Sequence, residues 1–486
     1  MFDLEADKSV YFIGIAGVGM SAVAGYCCAL GFRVHGSDEK LYPPVSDIIA
    51  KLPLRVFEGF SADNLRTSKP DMVIVGNRIS ANNPEYQYAK RKQLPIMHFP
   101  HFLGTRIAAE NKQSLVVTGT HGKTTTTALL AFLLTAMGDD PSYFIGGLPL
   151  MTGFSNYHVG KGDYFCLEGD EYDSSLDDKE PKFMHYRPSF LLLNVIEWDH
   201  ADIYPDLAAM MVKFQRLLTL LQPPAYVIAN IDCPNVAKLI ANVDHKLITV
   251  SPYQQQEADV VVLDYPPRSK SVRLRCRDYG EVEASTDTLL GDYNAANIAM
   301  VAATLLAMGK DVRRYLAHVK AFKGVAKRLE HKFSSRGVHC YVDFAHHPTA
   351  VSKVLNNVKA MHPNSRVTAV FEFKSATSVR NVLFNAYSES FNTADEVVLW
   401  QRSPSKLPTE QRMDIPALAR RIGAHAFSDQ KNMRQHVLSQ LYRRGEQGNA
   451  REDVLLLMSC ADYGDFVAEI EQLTADKSLL SADIQP

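Results

Sequence analysis

The chain has 486 residues, 46 % hydrophobic and 22 % charged, with a formal net charge of −2. That length supports roughly two to four domains, each with its own core. The near-neutral balance gives no electrostatic case for nucleic acid or an anionic membrane surface, and no apolar run approaches the ~20 residues that span a bilayer. Cysteines 27, 28, 166, 233, 276, 340 and 460 show no CxxC or metal-type spacing, and the start MFDLEADK is acidic. Reduced core thiols and no signal peptide are expected, hence a cytoplasmic protein.

The first segment, VYFIGIAGVGMSAVAGYCCALGFRVHGSD, reads strand, glycine-rich turn, helix, strand. Its glycines, Gly14, Gly17 and Gly19, are spaced GxxGxG. Asp38 ends the second strand, where an acid can accept from a ribose hydroxyl, so a dinucleotide-binding domain is one reading. Residues 71–85, DMVIVGNRISANNPE, give a strand and then a polar turn. A polar stretch poor in β-formers, 103–113, marks the first domain boundary.

Residues 114–118 are a short β-branched run, and Leu129, Leu130, Leu133 and Leu134 have helical spacing. Between them lies GTHGKTT. A strand, a glycine-bounded turn and a helix start converge backbone N–H groups and the helix dipole on an anion. Gly119, Thr120, His121, Gly122, Lys123, Thr124 and Thr125 therefore read as a short ATP-binding loop. Lys123 lies beside the outer phosphates and Thr124 offers a hydroxyl to magnesium. Val117 stands where the usual P-loop has its first glycine. The strand Tyr164–Leu167 ends in Glu168, Asp170, Glu171 and Asp173, where a hard cation can be held, although a solvated acidic loop is the common fate of such a run. SFLLLNVIEWDHAD (189–202) is a buried strand ending in Asp199, His200 and Asp202. Strands and helices then alternate over 225–275, continuing an α/β sheet. Asn294 and Asn297 share one face of a helix over 288–309, where amides can read an adenine edge or cap the helix.

The last third opens with AFKGVAKRLEHKF (321–333). YVDFAHHPTAVSKVL (341–355) reads strand, polar turn and helix. VTAVFEFKSATS, DEVVLW and DVLLLMS predict three further parallel strands, and a polar tail follows about residue 473.

The ordered set IGIAGVGMSAVA…GSD, GTHGKTTTT, EGDEYD, NVIEWDHAD and DFAHHP resembles the Mur ligase family, ATP-dependent amide-bond-forming enzymes of cell-wall precursor synthesis, over roughly residues 9–470. The resemblance implies an α/β protein of three domains. These are a Rossmann-like UDP-binding domain (1–107), a central P-loop ATPase-type domain (108–322) and a C-terminal Rossmann-like ligase domain (323–486). It places UDP-N-acetylmuramate, not NAD, on the first loop, with Gly17, Gly19, Met20, Ser21, Ser37, Asp38, Asn77 and Ser80 as its contacts. It assigns ATP to Asn294, Asn297, Arg328 and Asp343 besides the central loop. Thr124 and Glu168 would hold one magnesium ion, Glu168 and His200 a second. The family's GxHNxxNxxAA has Tyr293 in place of its histidine here. Where many members carry a carbamylated lysine this chain has Gln215; branches ligating directly to muramic acid also lack that lysine, and Lys213, nearby, is given no role.

Lys123, His200 and His347 are the expected catalytic residues, His347 as a candidate base. FEFKSATS (371–378) falls where tripeptide-adding members have FEPRSNT, so Lys374 is expected to meet a peptide carboxylate as a cation without arginine's fork. The expected reaction joins the muramyl carboxylate of UDP-N-acetylmuramate to the tripeptide L-Ala-γ-D-Glu-meso-diaminopimelate through an acyl phosphate, in peptidoglycan recycling. The alternative amine is L-alanine. A monomer or weak dimer is expected, with no nucleic acid and no membrane insertion. An oxidoreductase would leave GTHGKTTTT unexplained, and a P-loop switch would leave the UDP-type domain unexplained.

Overall fold

The computed structural model describes residues 7–475, except 44, 222, 255, 256, 268, 270, 403–406 and 447–450. Most of the expected polar tail falls outside these residues; the helix Phe466–Ala475 runs to their end. The chain forms two compact units. One is the chain up to Trp198 together with Asp206–Val325, and the other is Asp199–Pro205 together with the chain from Ala326.

The first unit carries two sheets. Strands β1 (Ser9–Ile13), β2 (Arg33–Asp38), β3 (Leu54–Glu58), β4 (Met72–Val75) and β5 (Ile96–His98) lie in the order β3-β2-β1-β4-β5. All pair in parallel. β1 and β4 are buried at every residue, as a parallel sheet covered on both faces requires. After β4, Asn83 caps the helix Pro84–Arg91 through its side chain, with Pro84 at the first helical position. That helix carries Glu85, a fully buried carboxylate. Glu85 accepts hydrogen bonds from Tyr11 (3.0 Å), Ser37, the Ser61 amide (3.1 Å) and Asn64 (2.7 Å), tying two strands to two helices. The stretch 103–113 is mostly helix, the end of Phe99–Ala109.

The second sheet comprises β6 (Gln113–Thr118), β7 (Ser142–Phe144), β8 (Tyr157–His158), β9 (Tyr164–Glu168), β10 (Phe190–Leu193), β11 (Tyr226–Asn230), β12 (Lys246–Ser251), β13 (Val260–Asp264), β14 (Ser271–Cys276) and β15 (Gly280–Ser285). Its order is β15-β14-β13-β12-β11-β10-β6-β9-β7-β8. β6 is paired in parallel to β9 on one side and β10 on the other, so the chain reverses its winding there and leaves a crevice at the strand ends. Beyond β13 the sheet departs from the expected α/β alternation. β13, β14 and β15 form an antiparallel meander. SVRLRC and EVEAS alternate buried and exposed residues, the pattern of strands with one wet face. The helix Asp292–Ala307 is buried along nearly its whole length in the core of this sheet.

The second unit has β16 (Glu330–Ser335), β17 (Val338–Asp343), β18 (Arg366–Glu372), β19 (Glu396–Trp400), β20 (His425–Phe427) and β21 (Asp453–Met458), in the order β16-β17-β21-β18-β19-β20. β16 is antiparallel to β17; the other pairs are parallel, as the sequence predicts for β18, β19 and β21. Glu396, at the start of β19, faces His436 (3.5 Å) and Arg444, which also holds Asp453 at 3.0 Å. Burial works against its charge, but His436 and Arg444 outweigh it and lower its carboxyl to about 2. A carboxyl lowered on folding stabilises the native state above its unfolded value, and that stability is lost as pH falls toward about 2. Glu396→Gln should therefore flatten the acid limb of the stability–pH curve between about 4.3 and about 2, read by urea unfolding across that range.

Candidate active site

At the end of β6 the backbone turns through Gly119 (φ +114°) and Gly122 (φ +83°). A Cβ on Gly119 would lie 2.8 Å from Val195 O; one on Gly122 would lie 2.5 Å from Asn297 Oδ1 and 2.6 Å from Asn194 Nδ2. Both positions demand glycine for conformation and for space. The loop is bolted to the chain after β10. Thr120 N donates to Val195 O (2.6 Å), Thr120 Oγ1 donates to Glu197 O (2.8 Å) and accepts from Glu197 N (2.9 Å), and His121 Nε2 lies 2.7 Å from Glu197.

The helix Lys123–Ala136 starts directly from Gly122, without a side-chain cap. Lys123 curls back over the loop. Its Nζ donates to Gly119 O (2.8 Å) and to both oxygens of Glu171 (2.9 and 2.7 Å), a carboxylate only 1 % exposed. Burial alone would depress this ammonium; the charges of Glu171, Asp170 and Glu168 prevail and raise it above its ordinary value. Lys123 is thus a permanent cation at a strand–loop–helix anion site. Beside it, Thr124 Oγ1 donates to Glu168 Oε1 (3.0 Å), while Glu168 Oε2 accepts from Gly146 N (2.9 Å). A hydroxyl and a carboxylate side by side at the end of β9 are the hard oxygen donors a magnesium ion takes.

Asn294 and Asn297 lie behind this loop, both buried. Asn297 Oδ1 accepts from Thr126 Oγ1 (3.1 Å), its amide donates to Asn294 Oδ1 (3.2 Å), and Asn294 donates to Leu290 O (2.9 Å). Asn194 joins them by donating to His121 O and Thr126 Oγ1, both at 3.3 Å. Thr125 is buried as well. The two asparagines expected at an adenine edge therefore use these groups to support the loop from inside.

In the first sheet, Gly14 N and Ile15 N donate to Ser37 O (2.9 and 3.0 Å), and Ala16 N donates to Asp38 Oδ2 (2.8 Å). Asp38 thereby shapes the glycine loop itself. Ser37 donates its hydroxyl to Glu85. Gly17 opens the helix Val18–Ala29 without a side-chain cap, Gly19 packs near Phe99 and Phe144, and Met20 and Ser21 are buried. Asn77 and Ser80 stand on the turn after β4, half-buried and exposed respectively.

In the second unit, Asp343 at the end of β17 accepts from Leu329 N and Ala345 N, both at 2.6 Å. Burial raises its carboxyl, opposed by Arg328, which lies over the Phe344 ring at 4.8 Å. Asp199 is the anchor of its segment: it accepts from Thr377 Oγ1 (2.5 Å) and lies 3.2 Å from His346 Nε2. Burial disfavours its charge, but His346, His200 and Thr377 hold it well below the carboxylate range. His200 follows in the left-handed region (φ +54°), its carbonyl closing a turn with Ile203 N and Tyr204 N. His347 Nδ1 accepts from Thr349 N (3.3 Å) and caps the helix Pro348–Met361. Lys374 is exposed on the turn after β18. Lys213 is ion-paired with Glu180 at 3.1 Å. Sequence reasoning named Glu171 only among four acids for a cation, not as the partner of Lys123, and did not single out Glu197, Asn194 or Glu85.

Three family models match in succession: "Mur ligase family, catalytic domain" over residues 9–111, "Mur ligase middle domain" over 117–305, and "Mur ligase, glutamate ligase domain" over 327–460. The chain is 32 % identical over 403 residues to the UDP-N-acetylmuramate–L-alanyl-γ-D-glutamyl-meso-2,6-diaminoheptandioate ligase of Escherichia coli (strain K12), covering 82 % of this chain and 86 % of that one. It is 31 % identical over 413 residues to the UDP-N-acetylmuramate–L-alanine ligase of Arthrobacter sp. (strain FB24), covering 83 % of each. In fold it matches the crystal structure of a murein peptide ligase from Psychrobacter arcticus 273-4, with a TM-score of 0.72, 24 % identity, and 96 % and 99 % of the two chains covered. The chain belongs to the Mur ligase family. It is an ATP-dependent ligase that forms amide bonds, in the chemistry of peptidoglycan biosynthesis.

Because Glu171 is buried against Lys123, removing the lysine alone strands a carboxylate. Lys123→Met should lose ligase activity and also about 3–5 kcal/mol of stability. Lys123→Met/Glu171→Gln should recover most of the stability but none of the activity, read by urea unfolding beside ADP release.

Proposed function

We propose that this ligase joins the muramyl carboxylate of UDP-N-acetylmuramate to the free amine of the tripeptide L-Ala-γ-D-Glu-meso-diaminopimelate, the reaction class used to recycle peptidoglycan fragments. The observation that carries this reading is the turn after β18. Its backbone is fixed by its own serines: Ser378 Oγ accepts from Lys374 N (3.1 Å), and Ser375 Oγ accepts from Ser378 N (3.0 Å). The Lys374 side chain is left exposed, with the small Ser375 and Ala376 following it. A tripeptide has carboxylates far from its amine, whereas L-alanine has one close by. A long cation on a rigid turn beside Ser375 and Ala376 suits the larger substrate. The similarity to the Escherichia coli relative adds support; the similarity to alanine-adding relatives at nearly equal identity keeps L-alanine as the second reading.

The proposed course is a two-step acyl transfer. A muramyl carboxylate oxygen attacks the γ-phosphorus of ATP, ADP leaves, and an acyl phosphate forms. The neutral amine then attacks the acyl carbon, its C–O bond breaks, and inorganic phosphate leaves with both electrons while the amine's proton passes to solvent. Lys123 lies where negative charge develops in the first step, already oriented by Gly119 O and Glu171. Thr124, Glu168 and His200 are the proposed magnesium ligands. When bound, magnesium would neutralise phosphate charge. Gly17, Gly19 and the turn carrying Asn77 and Ser80 are the proposed seat of the UDP group.

ADP release should require UDP-N-acetylmuramate and tripeptide together, and L-alanine should substitute poorly. Efficient turnover with L-alanine and none with tripeptide would reassign the amine. Lys374→Ala should raise KM for the tripeptide by roughly 10–100-fold, a loss of about 1.5–3 kcal/mol, with KM for ATP unchanged. Glu168→Gln should shift the magnesium dependence of the rate to higher concentration; an unchanged dependence removes Glu168 from the metal site.

A further inference from the structure

The first unit holds a second cluster of chemistry-bearing side chains that the ligase reaction does not use. His98 ends β5, His185 closes the short 3-10 helix Lys182–His185, and Asp178 lies in the loop before it. Asp178 Oδ2 is 3.0 Å from Nε2 of both histidines, and the three ligand atoms lie within 4.8 Å of one another. His185 Nε2 is sealed from solvent and makes no hydrogen bond, so its approach to Asp178 lacks a hydrogen bond's direction. The carboxylate is aimed: its Oδ1 accepts from Glu180 N (2.9 Å), and Asp178 N donates to Ser175 Oγ (3.1 Å), which leaves Oδ2 toward the rings.

The elements carrying these ligands are pressed together. A Cβ on Gly104, in the helix that follows His98, would fall 2.1 Å from His185 O. Ring centroids are 4.6 Å apart for His98–His185, and that of His101, which is exposed, lies 5.7 and 6.0 Å from theirs. Imidazoles on one tetrahedral ion, bound at about 2.0–2.1 Å, have centroids about 5 Å apart. A cavity of about 160 Å³ opens beside His98 and Asp178 as an entry path.

We propose that His98, His185 and Asp178 bind one zinc-type transition-metal ion, with His101 turning in as the fourth ligand, and that this ion clasps the first sheet to the 175–185 segment of the second. Two imidazoles and a carboxylate suit zinc by donor type. Binding through His98 Nε2 moves that ring's proton to Nδ1 and gives up the long contact from His101 N (3.3 Å); no electron is transferred. The group His339, His362 and Glu452 in the second unit has an exposed carboxylate and lacks this enclosure.

The test uses the whole chain, freed of metal by chelation and kept in excess magnesium so that oxygen sites are filled. Zinc titrated against a chromophoric chelator should bind at one equivalent per chain, and the thermal midpoint should rise. Cobalt(II) should give the intense visible absorption of a tetrahedral nitrogen–oxygen site. His185→Asn and Asp178→Asn, checked for fold by circular dichroism, should each weaken zinc binding by at least about 100-fold, and His101→Asn by about 10-fold. Wild-type binding no tighter than that of a folded His185→Asn variant overturns the proposal. So does a weak, octahedral cobalt spectrum of the wild type, which needs no variant to fold.

Discussion

A buried ammonium and a buried carboxylate face each other across the turn after β6, and the active centre depends on that pair. Lys123 and Glu171 are both nearly closed to solvent, so neither tolerates loss of the other. Their contact fixes the lysine over the loop through Gly119 O as well. On the proposed reading, an incoming polyphosphate would meet a charge already desolvated and oriented, the condition under which electrostatic stabilisation is largest. The same pair makes Lys123 a structural residue as well as the proposed phosphate-facing cation.

The rest of the first unit's architecture follows from what the loop needs around it. β6 sits at the reversal of winding between β9 and β10, so three strand ends converge on one point. β9 delivers Glu168, the chain after β10 delivers Asn194 and Glu197, and the helix Asp292–Ala307 delivers Asn297 from behind. Gly122 touches two of these side chains so closely that no Cβ fits. The loop's shape is thus over-determined by packing and hydrogen bonds, not by its short sequence alone.

Much of this was legible in the sequence. The β-branched run 114–118 and the leucine spacing after Thr124 located the loop, and the parallel strands of the second unit appeared as unbroken apolar runs. The counter-ion was not legible. Among the four acids after β9, only the fold shows that Glu171 turns inward while Glu168 lies beside Thr124. Asn294 and Asn297 share a helical face, as their spacing says, but which way that face points is set by tertiary packing; it points at the back of the loop. The meander β13–β15 was missed because the alternation in SVRLRC was read within a longer α/β pattern. Glu85 carried no signal at all, since a lone acid after a proline reads as a helix's first turn.

The most direct measurement of the central claim follows an oxygen atom. UDP-N-acetylmuramate labelled with ¹⁸O in its muramyl carboxylate is turned over with ATP and the tripeptide, and the released phosphate is analysed by mass spectrometry. The account predicts that each phosphate released carries one oxygen from the carboxylate, because the acyl carbon–oxygen bond is the one that breaks. Unlabelled phosphate, with the label retained in the amide product or in unreacted substrate, would contradict it.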